Sequence, residues 1–301
     1  MRTQFNPTQL GDRMTSSAGE RPHALIRNEY EASVFDLYDT KRNDPLNLDL
    51  GKTDGYYHHH FAVRDFDRSL LELAGEQRET AINVELHRME TDQVQIVVNA
   101  LQYLPSSARV LDAGSGRGGT ALLLNRALHC QVDGVNFSTY QNGFARTEAE
   151  RLQVGEQVRF HDRNMIDTGF PDGYFDAVVT NETTMHVSPD EAFAEFARVL
   201  RRGGRYVLIS WCHNDAVPSD PQEVAAIDDH YRCHVHHRST YLRVLLENDL
   251  IPYQVDDLTL AAIPYWELRS ESTLASGIEP SFLSGHRADR LNYIRVISRR
   301  R

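Results

Sequence analysis

The sequence predicts an α/β fold, a doubly wound and largely parallel sheet preceded by a helical cap. Three observations predict it. From residue 108 onward, short apolar runs alternate with helical patterns, which implies β-α-β crossovers and helices on both faces of one sheet. The first of those runs ends in a glycine-rich loop, Gly114-Ser115-Gly116-Arg117-Gly118-Gly119, that opens the next helix. Residues 28–100 look mostly helical.

The elements follow in order. Residues 1–27 are polar and aperiodic and read as a tail, with no apolar leader. In the cap, the clearest helix spans about 80–103. Ile82, Leu86, Met89, Val97 and Leu101 fall near helical spacing, and Glu85, Arg88 and Asp92 share a polar face. Strands are expected at Arg109–Ala113, Gln131–Asn136, Gln157–His161, Phe175–Thr180 and Arg205–Trp211, with helices at Thr120–Leu128 and Asp190–Leu200. A helix (about 239–248), a strand (about 251–258) and a last strand, Asn292–Ser298, complete the sheet. Ala262–His286 is rich in Ser, Pro and Gly and reads as a lid insertion, about 262–290, over the mouth of the site. The division is a tail at 1–27, a helical substrate-binding cap at 28–100, and a cofactor-binding domain at 101–301.

Composition narrows the function. A hydrophobic share of 41% supports a sizeable core. The net charge of -11 argues against a general nucleic-acid binder, which needs a basic stripe for phosphates. It leaves room for one small anion held by a local Arg/His cluster. Cys130, Cys212 and Cys233 are far apart and read as free thiols in a reducing, cytoplasmic setting. No apolar run reaches the ~18 residues of a membrane span, so no membrane partner is expected.

The spacing Gly114–Gly116–Gly119 also fits a dinucleotide fingerprint. Two residues separate the readings. Asp112, at the end of the first strand, suits a ligand with an ammonium group and would crowd a pyrophosphate. A nicotinamide site wants an acid about 20 residues on, for the ribose. That place holds Asn136. The pair favours S-adenosylmethionine, with Asp112, Gly114, Gly116 and Asn136 around it.

Further stretches carry a resemblance. Arg163-Asn164-Met165-Ile166-Asp167, then Phe170-Pro171-Asp172-Gly173-Tyr174-Phe175-Asp176, resembles the adenine-contacting region of class I methyltransferases, and Arg198 to Arg205 resembles the turn before their fifth strand. Gly134 to Gln141 resembles strand two of cyclopropane and sterol methyltransferases. Asn47 to Phe61, Glu85 to Glu90, Asn181 to Met185 and Ile263 to Arg269 together resemble geranyl diphosphate C-methyltransferases, over roughly residues 35 to 300. The resemblance implies a Rossmann-like class I fold whose last strand is antiparallel. It also implies methylation of an alkene carbon of a prenyl diphosphate, with magnesium held mainly by the diphosphate.

Residue roles follow from that resemblance. Gln141, Asn164, Met165 and Asn181 join the cofactor set. Glu182 is the candidate base, since attack on an alkene leaves a tertiary carbocation that must lose a proton. Phe61, Trp211 and Tyr265 are the catalytic aromatic wall, with Tyr57 and Trp266 as further candidates; ring faces stabilise a cation and exclude water. Core packing is the alternative for each of these rings. Asn47, Tyr57, His58, Arg88 and Arg269 are candidates for the diphosphate, and Glu85 and Glu90 for contacts to Mg2+. Consecutive side chains diverge, so His58-His59-His60 is not expected to hold one metal ion. Phe61 replaces a Tyr usual in the family, and Trp211 a smaller residue. C2 is the default carbon, while C6, farnesyl or isopentenyl diphosphate stay open. A sterol, fatty acyl or prenylated acceptor without a diphosphate is the second reading, and a non-catalytic binding fold the third. A homo-oligomer is expected.

Overall fold

A computed structural model describes residues 25–44 and 48–301. The tail expected at 1–27 lies outside the described residues, except for its last three. Helix α1 (Glu29–Thr40) starts at an N-cap, Asn28, whose side chain accepts from the Glu31 N–H. Helix α2 (Gly75–Leu101) is the cap helix, extended by several residues toward its N-terminus. Its buried stripe contains Ile82, Leu86, Met89, Gln93, Val97 and Ala100, the spacing of one helical face. The predicted polar face is also present: Arg88 pairs with Glu85 at 2.7 Å and with Asp92 at 2.6 Å, half-exposed.

The sheet holds β1 (Arg109–Ala113), β2 (Gln131–Asn136), β3 (Val158–Asp162), β4 (Phe175–Asn181), β5 (Leu200–His213), β6 (Leu250–Asp257) and β7 (Leu291–Arg300), in the order β3-β2-β1-β4-β5-β7-β6. Strand β7 runs antiparallel to both neighbours, and the other pairings are parallel. Helices α3 (Gly119–Leu128), α4 (Thr139–Arg151), α5 (Pro189–Val199), α6 (Pro221–Tyr231), α7 (Arg238–Glu247), α8 (Thr259–Ser270) and α9 (Glu279–Arg287) complete the fold. Alternation on β4 and β5 feeds two cores. Ala177, Val179, Val207 and Ile209 face one, with α2 and α3. Val178, Tyr206 and Leu208 face the other, with Phe193 and Phe196 of α5.

Three findings differ from expectation. Strand β5 is longer than expected at both ends: it begins at Leu200, which pairs with Phe175 ahead of a register shift, and runs to His213. Helix α6 was not foreseen, although Asp220-Pro221 is an N-cap followed by Pro at the first turn. The stretch 262–286 is no loose loop: α8 and α9 occupy most of it, and Trp266 and Phe282 stack at 4.2 Å without solvent exposure.

The turn into α3 depends on Gly118, whose φ is +89°. A Cβ there would lie 2.6 Å from the Phe160 ring. Gly118→Ala is expected to cost about 2–4 kcal/mol, combining left-handed strain with overpacking. Urea unfolding checks it, and a loss below ~1 kcal/mol would contradict the analysis.

Candidate active site

Strand order reverses between β1 and β4, and ligands of such sheets bind beyond the strand ends at that crevice. A cavity of about 750 Å³ lies there, with Asp112, the glycine loop, Asn136, Gln141, Met165 and Asn181–Thr183 on its wall. Val34 and Tyr38 of α1 and the stretch Tyr57–His60 close it from the other side. A second cavity, of about 640 Å³, adjoins it; Tyr38, His59 and His60 line both. Its own wall includes Lys41, Phe61, Glu90, His230, Tyr231 and Arg269.

The first cavity is built for a ligand with a positive end. Asp112 is buried, and its Oδ2 has no hydrogen-bond partner among the described residues. Burial pushes its carboxyl up to about 7, against the pull of one backbone N–H from Ala121. An ammonium group would restore the ionised form. Gly116, at φ +53°, leaves open space where a Cβ would stand, with only His59 at 4.0 Å. At the end of β2, Asn136 Nδ2 donates to Gln141 Oε1 at 2.6 Å, so two amides face the cavity together. Asn164 is turned elsewhere: its Nδ2 donates to Leu25 O and to Glu31 of α1, both at 3.1 Å, and it does not line the cavity.

Glu182 stands just past β4 with a left-handed backbone, φ +56°. A non-glycine residue held there is a strained position of the kind found at functional sites. Its Oε1 accepts from the Phe61 N–H at 2.9 Å and from the Tyr293 hydroxyl. The polarity of that second bond is set from behind. Gln93 Nε2 donates to the Tyr293 oxygen at 2.9 Å and to Asn181 Oδ1 at 2.6 Å, so Tyr293 donates its proton to Glu182. Oε2 is left buried with no partner among the described residues. Burial pushes the Glu182 carboxyl up to about 8, opposed by the Tyr293 and Phe61 hydrogen bonds and helped by the charge of Glu90. Glu90 is raised to about 7 by burial, although Tyr265 donates to its Oε1 at 2.8 Å.

The histidines hold the stretch that carries Phe61. His60 Nδ1 lies 2.8 Å from Phe61 O, a carbonyl that only accepts, so that nitrogen carries the proton. His60 Nε2 then accepts from His58 Nδ1 at 3.2 Å, and His58 Nε2 accepts from Thr91 at 3.2 Å. Burial holds all three histidines below their usual range. A chain of neutral imidazoles fixes the segment and leaves no set of ligands for a metal. Among the described residues no cluster of three or more His, Cys, Asp or Glu could hold one.

The proposed diphosphate set divides. Arg269 lines the second cavity, backed by Glu279 at 3.0 Å and by the Tyr265 hydroxyl at 3.2 Å. Tyr57 and His58 line the first cavity instead. Arg88 and Glu85 lie in the ion pairs on the outer face of α2, outside both cavities, because the helix turns that face away from the sheet. Asn47 lies outside the described residues. Glu90 does reach the second cavity. Of the aromatic set, Phe61 lines the second cavity, whereas Trp211 and Tyr265 line neither. Trp211 packs behind Phe61 at 4.8 Å, and Tyr265 supports Glu90.

Sequence reasoning missed Lys41, His230, Tyr231, Gln93, Tyr293 and Arg117. Lys41 and the α6 pair belong to elements without strong periodicity. Gln93 had a readable signal, a polar residue in the apolar stripe of α2. Tyr293 had none, since its partner is 111 residues away in sequence.

A methyltransferase-domain family profile matches residues 111–208. The geranyl diphosphate 2-C-methyltransferase of Saccharopolyspora erythraea is 38% identical over 287 residues, covering 95% of this chain and 100% of that protein. The Streptomyces coelicolor enzyme of the same name is 37% identical, covering 85% and 88%. The crystal structure of the S. coelicolor geranyl diphosphate C-methyltransferase with Mg2+, geranyl-S-thiolodiphosphate and S-adenosyl-L-homocysteine superposes with a TM-score of 0.87 at 34% identity, covering 92% of this chain and 99% of that one. A geranyl diphosphate methyltransferase in complex with its diphosphate and sinefungin gives 0.87 at 35% identity, covering 91% and 100%. The chain belongs to the geranyl diphosphate C-methyltransferase family of S-adenosylmethionine-dependent class I methyltransferases.

Proposed function

We propose that the chain methylates an alkene carbon of geranyl diphosphate, C2 by default, and that Glu182 takes up the proton released. The observation that carries this reading is the bare, buried Glu182 Oε2, on a residue that lines the first cavity and accepts from the N–H of Phe61, which lines the second cavity with Lys41 and Arg269. S-adenosylmethionine, held by Asp112, the glycine loop, Asn136 and Gln141, would supply the methyl group. The alkene pair forms the new carbon–carbon bond and leaves a tertiary cation on the adjacent carbon. The hydrogen on the methylated carbon then departs to Glu182 Oε2, and its bonding pair restores the double bond. Phe61 faces that step with its ring while its N–H steadies the carboxylate.

Lys41 and Arg269 bind the diphosphate in this reading. Burial and the charge of Arg269 pull the Lys41 ammonium below its usual range, which an anion between them would relieve. Magnesium would be carried by the diphosphate, with Glu90 able to offer one oxygen. Trp211, Trp266, Phe282 and Tyr231 back Phe61 as a packed block and keep water from the cation. Among the described residues no helix is long and apolar enough to cross a membrane. The three free, buried cysteines favour a cytoplasmic location, and the enzyme is taken to be a homo-oligomer, which sedimentation tests.

Methyl-labelled cofactor with a panel of prenyl diphosphates tests the substrate. Labelled 2-methylgeranyl diphosphate is expected, and no labelled prenyl product from any member would sink the reading. Magnesium-independent labelling of a sterol or fatty acyl acceptor would favour the second reading. Glu182→Gln should lower kcat by roughly 10³-fold or more while leaving S-adenosylhomocysteine affinity within about 3-fold. A base must be ionised, so kcat/KM should rise tenfold per pH unit and level off above about 8. Tyr293→Phe removes a bond that favours the carboxylate, so the rise should move roughly one unit higher. An unchanged profile would count against the Tyr293 assignment. In the ligand-free protein the same carboxyl binds its proton more tightly folded than unfolded. Its stability contribution is present at low pH and is lost as pH rises through about 8. Relative to the native protein, Glu182→Gln should therefore gain on the order of 2 kcal/mol between pH 6 and 9, read by denaturant unfolding.

A further inference from the structure

Arg117 is the middle residue of the glycine loop, yet its side chain is 1% exposed. Its Nη2 donates to Arg42 O at 2.8 Å and, weakly, to Lys41 O at 3.4 Å. The guanidinium lies 4.9 Å from the Phe144 ring centre and 5.9 Å from that of Tyr140. Nε and Nη1 are buried and have no hydrogen-bond partner among the described residues. No carboxylate among them lies within ion-pairing distance of it. An always-charged group buried without a counter-ion is expensive, and native proteins keep one only where something pairs with it. Arg117 lines the first cavity, on the same wall as Asp112, and does not line the second.

We propose that Arg117 is an anion-binding residue of the cofactor cavity, pairing through Nε and Nη1 with a carboxylate or phosphate oxygen of a bound ligand. The carboxylate of the cofactor's amino-acid end is the closer chemical match. That end is zwitterionic, and the cavity offers a buried carboxylate and a buried guanidinium, neither in an ion pair among the described residues, although the charge of Asp44 acts on Arg117. The free Nε–H and Nη1 N–H groups leave different edges of the guanidinium plane, so each can take an anion oxygen of its own. The diphosphate of the substrate is the other source of the same chemistry, since His59 lies between the two cavities and senses the Arg117 charge. The assignment rests on the first cavity holding the cofactor.

Calorimetry on the full chain separates the sources. S-adenosylhomocysteine carries the carboxylate, 5′-methylthioadenosine lacks the whole amino-acid end, and geranyl-S-thiolodiphosphate with Mg2+ carries the diphosphate. Arg117→Met should weaken S-adenosylhomocysteine by at least 30-fold and methylthioadenosine by less than 3-fold. Arg117→Lys, which keeps the charge and loses the planar set of donors, should fall between. A loss confined to the diphosphate ligand would support the anion site and assign it to substrate. Equal affinities for every ligand in both variants would overturn it. The native protein supplies a control that needs no variant. The Arg117 Nε–H resonance should shift with S-adenosylhomocysteine or with the diphosphate ligand, and with methylthioadenosine should stay in place; a resonance unmoved by all three also overturns the proposal. Failure of the native chain to bind S-adenosylhomocysteine at all would instead reject the cofactor assignment of the cavity.

Discussion

Burial of charged groups ahead of their partners is the constraint on which this structure turns. Asp112, Glu182 and Arg117 each leave buried polar atoms without a hydrogen-bond partner among the described residues, at one end of the sheet. A protein interior penalises each of them, and the two carboxyls respond by holding protons more tightly. Such groups favour ligands of complementary charge, which would relieve the desolvation. A sulfonium cofactor with an ammonium end and a diphosphate substrate are complementary in that sense.

The sheet and α2 make the arrangement durable. Glu182 is strained at positive φ, and the reciprocal amide contact of Gln93 with Asn181 anchors the residue before it. Gln93 also orients Tyr293, so one buried helix residue directs both the backbone and the proton of the site. Its neighbours on the same stripe are apolar and fasten α2 to β4 and β5 through the core. Function and packing are thus served by one helical face, and a slip of the helix by one residue would lose both.

Aromatic packing sets the shape of the second cavity. Phe61 makes ring contacts with Trp211, Trp266, Phe282, Tyr231 and Tyr265. Its backbone N–H meanwhile bonds Glu182, so ring position and carboxylate position are coupled through one residue. The two departures from the family pattern, Phe61 and Trp211, stack on each other. They therefore form one ring pair at the wall of the second cavity rather than two separate changes.

The core of the fold was legible because local patterns carry it. Short apolar runs placed β1, β2 and β4 within a residue of their observed ends, and the 3.6-residue stripe placed α2. The residues expected around the cofactor are also local: Asp112, Gly114 and Gly116 sit on a single turn, and Asn136 and Gln141, the latter expected from the resemblance, on the next strand–helix junction. Helical periodicity even contained the reason Arg88 turns from the cavities, since it shares a face with Glu85 and Asp92. What sequence left undecided is everything that depends on meetings across the chain. Tyr293 reaches Glu182 over 111 residues, and Lys41 and Arg269 meet in one pocket from opposite ends of the protein. Sequence by itself determined the sheet, its glycine loop and the family resemblance, because those follow from neighbours within a few residues. Only the tertiary structure decided which oxygen of Glu182 and which nitrogens of Arg117 are buried without a partner among the described residues, because desolvation is set by what packs around a group and not by what precedes it in the chain.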